Sequence, residues 1–328
     1  MPSGWPSPAT HEENVPQKNT PKKNAPKKNA TEENAMSEPM KLRARLAVPI
    51  KEVHHALTDA EALRTWLAEH AEVDLPNRYE FWGRYTPEGA APHQRLLHVD
   101  DHTLRFSWLL DGADTTVEIG LEQQDSAEST ILTLSQTHLP SWADMVAERG
   151  IRSVLATFWS LAIANLVDYL EGRELTPMCD FTSPQQRVQV LIGAAPDVVF
   201  DSILDPEQFR QWFGANIEIE PYVGGRWAMG SFELDDEPAK ILELEPGRKM
   251  TLAWKGMVAA WELADSDGKT RLTFVQRGFD EQQPPYGSWM GWLSGIAELR
   301  RFHELSDWRP LWLGFEAPGI PEGILTNG

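Results

Sequence analysis

The sequence predicts an α+β fold made of two tandem copies of one domain, each a curved antiparallel sheet of about six or seven strands around a long C-terminal helix. Three observations predict it: an alternating strand at the start of each copy, aromatic landmarks repeated at a constant offset, and an amphipathic helix at the end of each copy. At 328 residues, the chain has room for two domains of ordinary size.

Each copy opens with a strand followed by two short helices. Apolar and polar residues alternate from Leu42 to Val48 and from Val188 to Ile192, which is typical of half-buried strands. Pro49 and Pro196 then favour a first helical turn, where the N–H that proline lacks is not needed. Asp205 precedes the second helix of the second copy and can cap it.

Aromatic residues recur at the same places in both copies. Trp66 and Trp212 end the second short helices, Trp108 and Trp254 lie on later strands, and each pair is 146 residues apart. Further strands are predicted at 78–85, 95–99, 116–122 and 130–137 in the first copy and at 225–233, 240–244, 258–264 and 270–276 in the second. A constant offset at separate landmarks indicates a duplicated domain.

A long amphipathic helix closes each copy. Apolar residues recur at helical spacing from Leu155 to Leu170 and from Trp289 to Phe302. Superposing Trp159 on Trp292 brings the next three apolar positions of the two helices into register. The domains are therefore predicted at 41–175 and 184–315, with a linker at 176–183 and a C-terminal tail at 316–328.

The first 40 residues differ in composition from the rest. Between His11 and Ala35, five pentapeptides share asparagine at the fourth place and hold almost no apolar residues. Residues 1–40 are therefore expected to be a disordered tail. The native translation start is left open between Met1, Met36 and Met40.

Charge and hydropathy disfavour several classes of partner. A formal net charge of −19 would repel phosphate backbones and anionic lipid, so neither nucleic acid nor a membrane is expected. The lone Cys179 cannot form an internal disulfide, and no cysteine or histidine spacing indicates zinc. Since no secretory signal is visible and the apolar run Leu155 to Val167 is too short and interrupted to span a bilayer, a cytoplasmic location is expected.

Three motifs resemble those of a known superfamily: an aromatic residue after the second helix, the run Gly224-Gly225-Arg226-Trp227, and Gly291-Trp292 on the last helix. With the order of elements, they resemble the START-like (SRPBCC, helix-grip) superfamily. Within it, both copies look most like the family named after the C-terminal domain of the activator of the heat-shock protein 90 ATPase. The second copy is closer, because Asn77-Arg78-Tyr79 replaces the paired glycines in the first and Pro140 to Arg149 replaces the usual lead into the final helix.

The resemblance implies an apolar cavity between each sheet and its long helix. Tryptophan suits such a wall, and a glutamine on an apolar strand face needs a hydrogen-bond partner. The candidate ligand-binding residues are Trp66, Trp108, Gln136 and Trp159 in the first copy, and Trp212, Trp227, Trp254, Gln276, Trp292 and Ile296 in the second. The competing interpretation is that the tryptophans only fill the core and the glutamines reach solvent at strand ends.

No recognised catalytic constellation is present, since the sequence lacks the serine-hydrolase, P-loop and zinc-protease motifs. Glu262 and Asp168 are candidate cavity acids, with solvated surface carboxylates as the alternative. Neither a cofactor nor a metal is predicted. Whether the chain is an enzyme stays open, and binding is favoured.

Three functions are compatible with this pattern. The leading hypothesis is binding of a small hydrophobic molecule in a START-like cavity, with domain 2 as the expected site. The second, implied by the resemblance, is a protein-partner role as regulator of a chaperone ATPase. The third is a cyclase-, dehydratase- or hydrolase-like reaction in the cavity, which needs an inward-facing titratable group with a shifted pKa. The duplication also predicts an intramolecular pseudo-dimer of the two domains.

Overall fold

Strands that bury every second residue build two large antiparallel sheets. In β1 (Met40–Leu46) every other side chain is buried, and β8 (Gln186–Ile192) shows the same alternation. The structure is a computed structural model that describes residues 38–124, 128–317 and 319–326, all within a unit spanning 36–328. The pentapeptide repeats of the predicted tail lie outside the described residues.

The first half begins with the predicted strand and two short helices and ends with the predicted long helix, and it also contains a strand and two short helical segments that the sequence did not predict. The side chain of Asp59 caps the second helix by accepting hydrogen bonds from the backbone N–H groups of Glu61 and Ala62. After β1, the elements are α1 (Ile50–Thr58), α2 (Ala60–Trp66), β2 (His70–Asp74), β3 (Arg78–Trp82), β4 (Gln94–Val99), β5 (Thr103–Leu110), β6 (Ala113–Gln123), β7 (Thr130–Gln136), α3 (Trp142–Val146), a 3₁₀ turn (Ile151–Val154) and α4 (Leu155–Leu170).

The second half repeats this order. Asp205 caps the second short helix by accepting from the backbone N–H of Gln208, and Pro206 lies in the first turn. After β8, the elements are α5 (Pro196–Leu204), α6 (Pro206–Phe213), β9 (Ile217–Ile219), β10 (Arg226–Met229), β11 (Ala239–Glu245), β12 (Lys249–Trp254), β13 (Met257–Ser266), β14 (Lys269–Arg277), α7 (Tyr286–Glu304) and β15 (Trp312–Glu316).

The strand orders confirm the prediction of an α+β fold with two tandem sheet-and-helix domains. One sheet has the order β15-β1-β7-β6-β5-β4, the other has the order β8-β14-β13-β12-β11-β10-β9, and β2 and β3 form a separate ribbon. The C-terminal strand β15 pairs with β1 of the first half, and Leu325 then bridges to Ala215 of the second half. The end of the chain therefore ties the two halves together.

The two halves meet along their long helices, since α4 and α7 pack against each other. Within the described residues, the stretch Ile151–Leu170 is long and apolar enough to cross a membrane by length and composition. However, 72% of its most apolar window is buried inside the chain, as in the core helix of a soluble protein.

Candidate functional site

Aromatic rings fill the interiors of both halves. The ring centroids of Trp108 and Trp159 lie 6.0 Å apart in the first half, and those of Trp227 and Trp292 lie 5.9 Å apart in the second. Ile296 is fully buried on α7. The structure therefore brings these predicted site residues together within each half as packing residues.

The other predicted tryptophans also contribute to packing. Trp66 and Trp212 are buried and donate their indole N–H groups to the backbone carbonyls of Ala56 at 3.1 Å and Ser202 at 2.8 Å. Trp254 is half-buried and packs against the edge of the core. The hydrogen bonds of Trp66 and Trp212 therefore join the two short helices of each half to each other.

Both predicted glutamines are buried, but their bonding differs. Gln136 Oε1 accepts from Trp159 Nε1 at 2.7 Å, and Gln136 Nε2 donates to Thr115 Oγ1 at 3.0 Å. Gln276 Nε2 donates to Ser288 Oγ at 3.0 Å, whereas its Oε1 has no hydrogen-bond partner within the described ranges. The amide is thus fully bonded in the first half and only half bonded in the second.

A cavity of about 640 Å³ lies between the two halves. Its floor is α4 and α7, and its walls come from α3, α6 and the C-terminal segment from Trp308 to Phe315. Aromatic side chains from these walls border it: Trp142, Trp212, Phe213, Trp308, Trp312 and Phe315. Of the ten predicted ligand-binding residues, Trp212 lines this cavity, and Gln276 reaches it through its bond to Ser288.

Small residues on α7 make room for the cavity. Gly287, Gly291 and Gly295 recur every four residues and line it. A Cβ atom at Gly295 would lie 2.5 Å from the ring of Phe213, so a larger residue there would displace that ring. A Cβ at Gly291 would meet Thr157 at 3.4 Å, which is an ordinary contact.

One carboxylate at the cavity wall joins the two halves. Glu148, in the loop after α3, accepts hydrogen bonds from the backbone N–H groups of Gly287 at 2.9 Å and Ser288 at 2.8 Å. Burial raises the pKa of Glu148, and these two N–H groups oppose the shift. The first half therefore supplies the cap for the N-terminus of α7.

A buried ion cluster joins the other ends of α4 and α7. The fully buried Asp168 accepts from Arg300 Nη2 at 2.9 Å and from Arg301 Nη1 at 2.8 Å. The interpretation of Asp168 as a solvated surface carboxylate is therefore wrong, because these two guanidiniums hold it in the helix interface. Glu262, by contrast, is exposed on β13.

A second carboxyl group, that of Glu298, lies near this cluster and lines the cavity. Its side chain is 3% exposed, and Arg301 Nε lies 3.8 Å from Oε1, too far for a hydrogen bond. Burial raises the pKa of Glu298 to about 7, opposed by Arg301 and a backbone hydrogen bond from Leu311 and reinforced by Asp168 and Glu171. The cavity thus holds a carboxyl group that changes charge near neutral pH.

The sequence-based search missed Glu298, Glu148 and the C-terminal aromatic wall. A partial signal existed, because Gly287, Gly291 and Gly295 mark one helical face and Glu298 follows three residues later. Among the described residues, no three histidine, cysteine, aspartate or glutamate side chains are grouped to hold a metal.

The fold, with its two tandem sheet-and-helix domains, is that of a START-like protein. The chain belongs to the family described as Activator of Hsp90 ATPase homolog 1-like protein, whose model matches residues 47–171 and 193–304. None of the curated proteins compared with the chain matches it.

Several solved structures are similar to parts of the chain. DynU16, from the dynemicin biosynthetic locus, is 17% identical over 81% of this chain and 99% of its own, with a TM-score of 0.34. A protein from Chromobacterium violaceum is 23% identical over 37% of this chain and 99% of its own, with a TM-score of 0.30. The Aha1 dimer from Colwellia psychrerythraea is 14% identical over 38% of this chain and 98% of its own, with a TM-score of 0.34. At these TM-scores, none of the three supports a functional assignment.

Proposed function

We propose that the chain binds a small, largely apolar molecule in the cavity between its two halves. The observation that carries this proposal is the cavity itself, about 640 Å³ in volume and bordered by six aromatic side chains. Ligand pockets commonly have volumes of roughly 300–1,000 Å³ and mostly apolar walls with a few placed polar groups. The wall also carries polar groups, among them Glu148, Ser288 and Glu298.

This site differs in place from the one expected inside domain 2. There, the ring centroid of Trp292 lies 5.9 Å from that of Trp227 and 5.3 Å from that of Trp261, which supports a filled interior. Domain 2 still contributes α6 and α7 to the proposed site, so Trp212 keeps its predicted role as a lining residue.

The test is to fill the cavity without disturbing either core. Ala156 lines the cavity, and Ala156→Phe should abolish binding of the fluorescent probe N-phenyl-1-naphthylamine to the full chain. Ala264→Phe, on an exposed strand position, is the matched control and should bind like the wild type. Native mass spectrometry of both variants would show whether a co-purifying molecule is lost with the probe.

Two outcomes would contradict the proposal. If wild-type protein neither binds the probe nor retains any small molecule, the binding function itself is contradicted. If Ala156→Phe binds as tightly as the wild type, the site lies elsewhere, and variants at Trp227 and Trp292 would then test the interior of domain 2.

A second candidate function, a reaction within the cavity, is favoured by Glu298. A buried carboxyl group with a pKa of about 7 can give and take a proton near neutral pH. Incubating a recovered ligand with wild-type and Glu298→Gln protein tests this, and an unchanged ligand mass spectrum and chromatogram with the wild type would contradict it. The chaperone-regulator role stays a prediction, and unchanged ATP turnover of a chaperone mixed with the chain would contradict that role.

A further inference from the structure

The end of the cavity next to the buried ion cluster is polar. Ser294 and Glu298 lie one helical turn apart on α7, and both line the cavity. Glu298 is 2% exposed, and its Oε1 has no hydrogen-bond partner in the part of the chain that the structure describes. A buried acceptor without a donor is destabilising, because nothing compensates for the hydrogen bond to water that it has lost. A ligand that supplies a donor to Oε1 would remove this penalty.

Charge balance indicates which donor fits. Four carboxylates share three guanidiniums at this end of α4 and α7: Asp168, Glu171, Glu298 and Glu304 with Arg173, Arg300 and Arg301. Asp168, Glu171 and Glu304 each accept a hydrogen bond from a guanidinium at 2.7–2.9 Å. Glu298 accepts none, so the ionised cluster lacks one positive charge at the residue that faces the cavity.

We propose that Glu298 selects ligands that carry a protonated amine on an apolar body, with the ammonium group bound at Oε1. This inference rests on the proposed binding function and names the chemical class of its ligand. An ammonium group supplies both the hydrogen-bond donors and the positive charge that the cluster lacks. The aromatic walls then contact the apolar body, and their ring faces favour a nearby cation.

The inference carries a pH dependence, because the ammonium group binds ionised Glu298. The charged and polar groups that act on this carboxyl group are Arg301 and the Leu311 N–H, which favour ionisation, and Asp168 and Glu171, which oppose it together with burial. With a pKa of about 7, the ionised fraction falls about thirtyfold between pH 8 and pH 5.5. The affinity for an amine should fall with it.

Three probes of matched shape test the inference on the full chain by isothermal titration calorimetry. They are 1-naphthylmethylamine, 1-ethylnaphthalene and 1-naphthalenemethanol. In the wild type at pH 8, we expect the amine to bind at least about tenfold more tightly than the hydrocarbon, as one charge-assisted hydrogen bond allows. Glu298→Gln should reduce the ratio of amine affinity to hydrocarbon affinity to within about twofold of one. Glu262→Gln, which removes an exposed carboxylate of the same half, should change neither affinity.

The outcomes separate the inference from the function on which it rests. If the hydrocarbon binds but the amine has no advantage, the inference is overturned and the proposed function stands. Equal binding of the alcohol and the amine overturns the requirement for charge. If none of the probes binds, both proposals are overturned. The wild-type pH series gives an independent test should Glu298→Gln fold poorly, since an amine affinity that is flat from pH 8 to 5.5 overturns the inference.

Discussion

The two halves repeat each other inside but not where they meet. Trp66 and Trp212 both donate to a carbonyl ten residues earlier, so this packing role is the same in both copies. The first strands differ, because β1 pairs with β7 and β15, whereas β8 pairs with β14 alone among the described strands. The helices that form the interface also differ, since α7 presents a row of glycines to the cavity and α4 presents hydroxyl and alanine side chains.

This difference shows where a duplicated domain can gain a site of its own. Inside each half, the interior tryptophan rings contact rings of the same copy, and both interiors fill with large rings. At the interface, unlike surfaces meet, and neither half alone contains the cavity or the complete ion cluster. We therefore expect substitutions at the interface to affect both stability and binding, and interior substitutions to act on stability alone.

The largest expected effect comes from breaking the ion cluster at the interface. Asp168→Asn removes the charge that faces Arg300 and Arg301, both of which are buried. Arg301 keeps its hydrogen bonds to Glu171, whereas Arg300 loses its carboxylate partner. Breaking a buried ion pair in this way typically destabilises by about 3–5 kcal/mol. Urea unfolding of the full chain would measure the loss.

The matched control is Asp114→Asn, at an exposed carboxylate 3.8 Å from Arg95. Exposed pairs contribute about 0–1 kcal/mol, so the control should unfold almost like the wild type. Equal stability of the two variants would show that the cluster does not hold the halves together.

The next largest effect is a pH dependence of the free energy of unfolding, which comes from Glu298. Its carboxyl group has a pKa of about 7 when folded against an ordinary value of 4.5, so the folded state binds this proton more tightly than the unfolded chain. The contribution of this proton to the free energy of unfolding is fully present below about pH 4.5. It is lost as the pH rises through 7, which lowers the free energy of unfolding by up to about 3 kcal/mol. Glu298→Gln should therefore gain stability relative to the wild type as the pH is raised over this range.

The quantity to measure is the difference in unfolding free energy between wild type and Glu298→Gln at several pH values, because other carboxylates then cancel. Glu262→Gln serves as the reference variant. A difference in unfolding free energy that stays constant from pH 5 to pH 8 would show that Glu298 does not titrate in this range. The second candidate function, a reaction within the cavity, would then lose its support.

A smaller effect distinguishes two glycines on the same helical face. Gly295→Ala should destabilise by about 1–3 kcal/mol, because its Cβ would lie 2.5 Å from a Phe213 ring that is stacked on Phe209. Gly291→Ala should instead stabilise by up to about 1 kcal/mol, since alanine favours the helix and Thr157 is an ordinary contact away. Thermal unfolding of both variants measures the contrast, and equal destabilisation would contradict this description of the helix face.

Most of the fold could be predicted from the sequence because its signals are local. Alternation predicted β1 and β8, Asp205 and Pro206 predicted the start of α6, and helical spacing predicted α4 and α7. The constant offset between Trp66 and Trp212 then predicted the duplication. Each of these patterns reports packing within one copy, where neighbouring residues determine the environment.

The cavity could not be predicted in the same way, because it depends on which faces of the two copies meet. Trp212 was predicted to line a cavity inside domain 2, whereas it borders the cavity between the halves, which its own sequence environment does not indicate. Asp168 read as a surface carboxylate because its partners Arg300 and Arg301 lie more than 130 residues away. The pairing of β15 with β1 is equally long-range.

The smallest expected effect tests the interior, where the two copies should be most alike. Gln136→Leu leaves the buried indole N–H of Trp159 without an acceptor and should destabilise by about 1–3 kcal/mol. The hydroxyl of Thr115 loses the Gln136 donor but keeps its own hydrogen bond to the Trp108 carbonyl. Gln276→Leu removes one hydrogen bond, to Ser288, and also removes an Oε1 that already lacks a partner in the described residues. The variant should therefore lose less than about 1 kcal/mol of unfolding free energy. Urea unfolding of both variants measures the difference. Equal losses would mean that Gln276 Oε1 is bonded in solution, by water or by a ligand that extends from the cavity past Ser288, and the asymmetry between the halves would then begin inside domain 2 rather than at the interface.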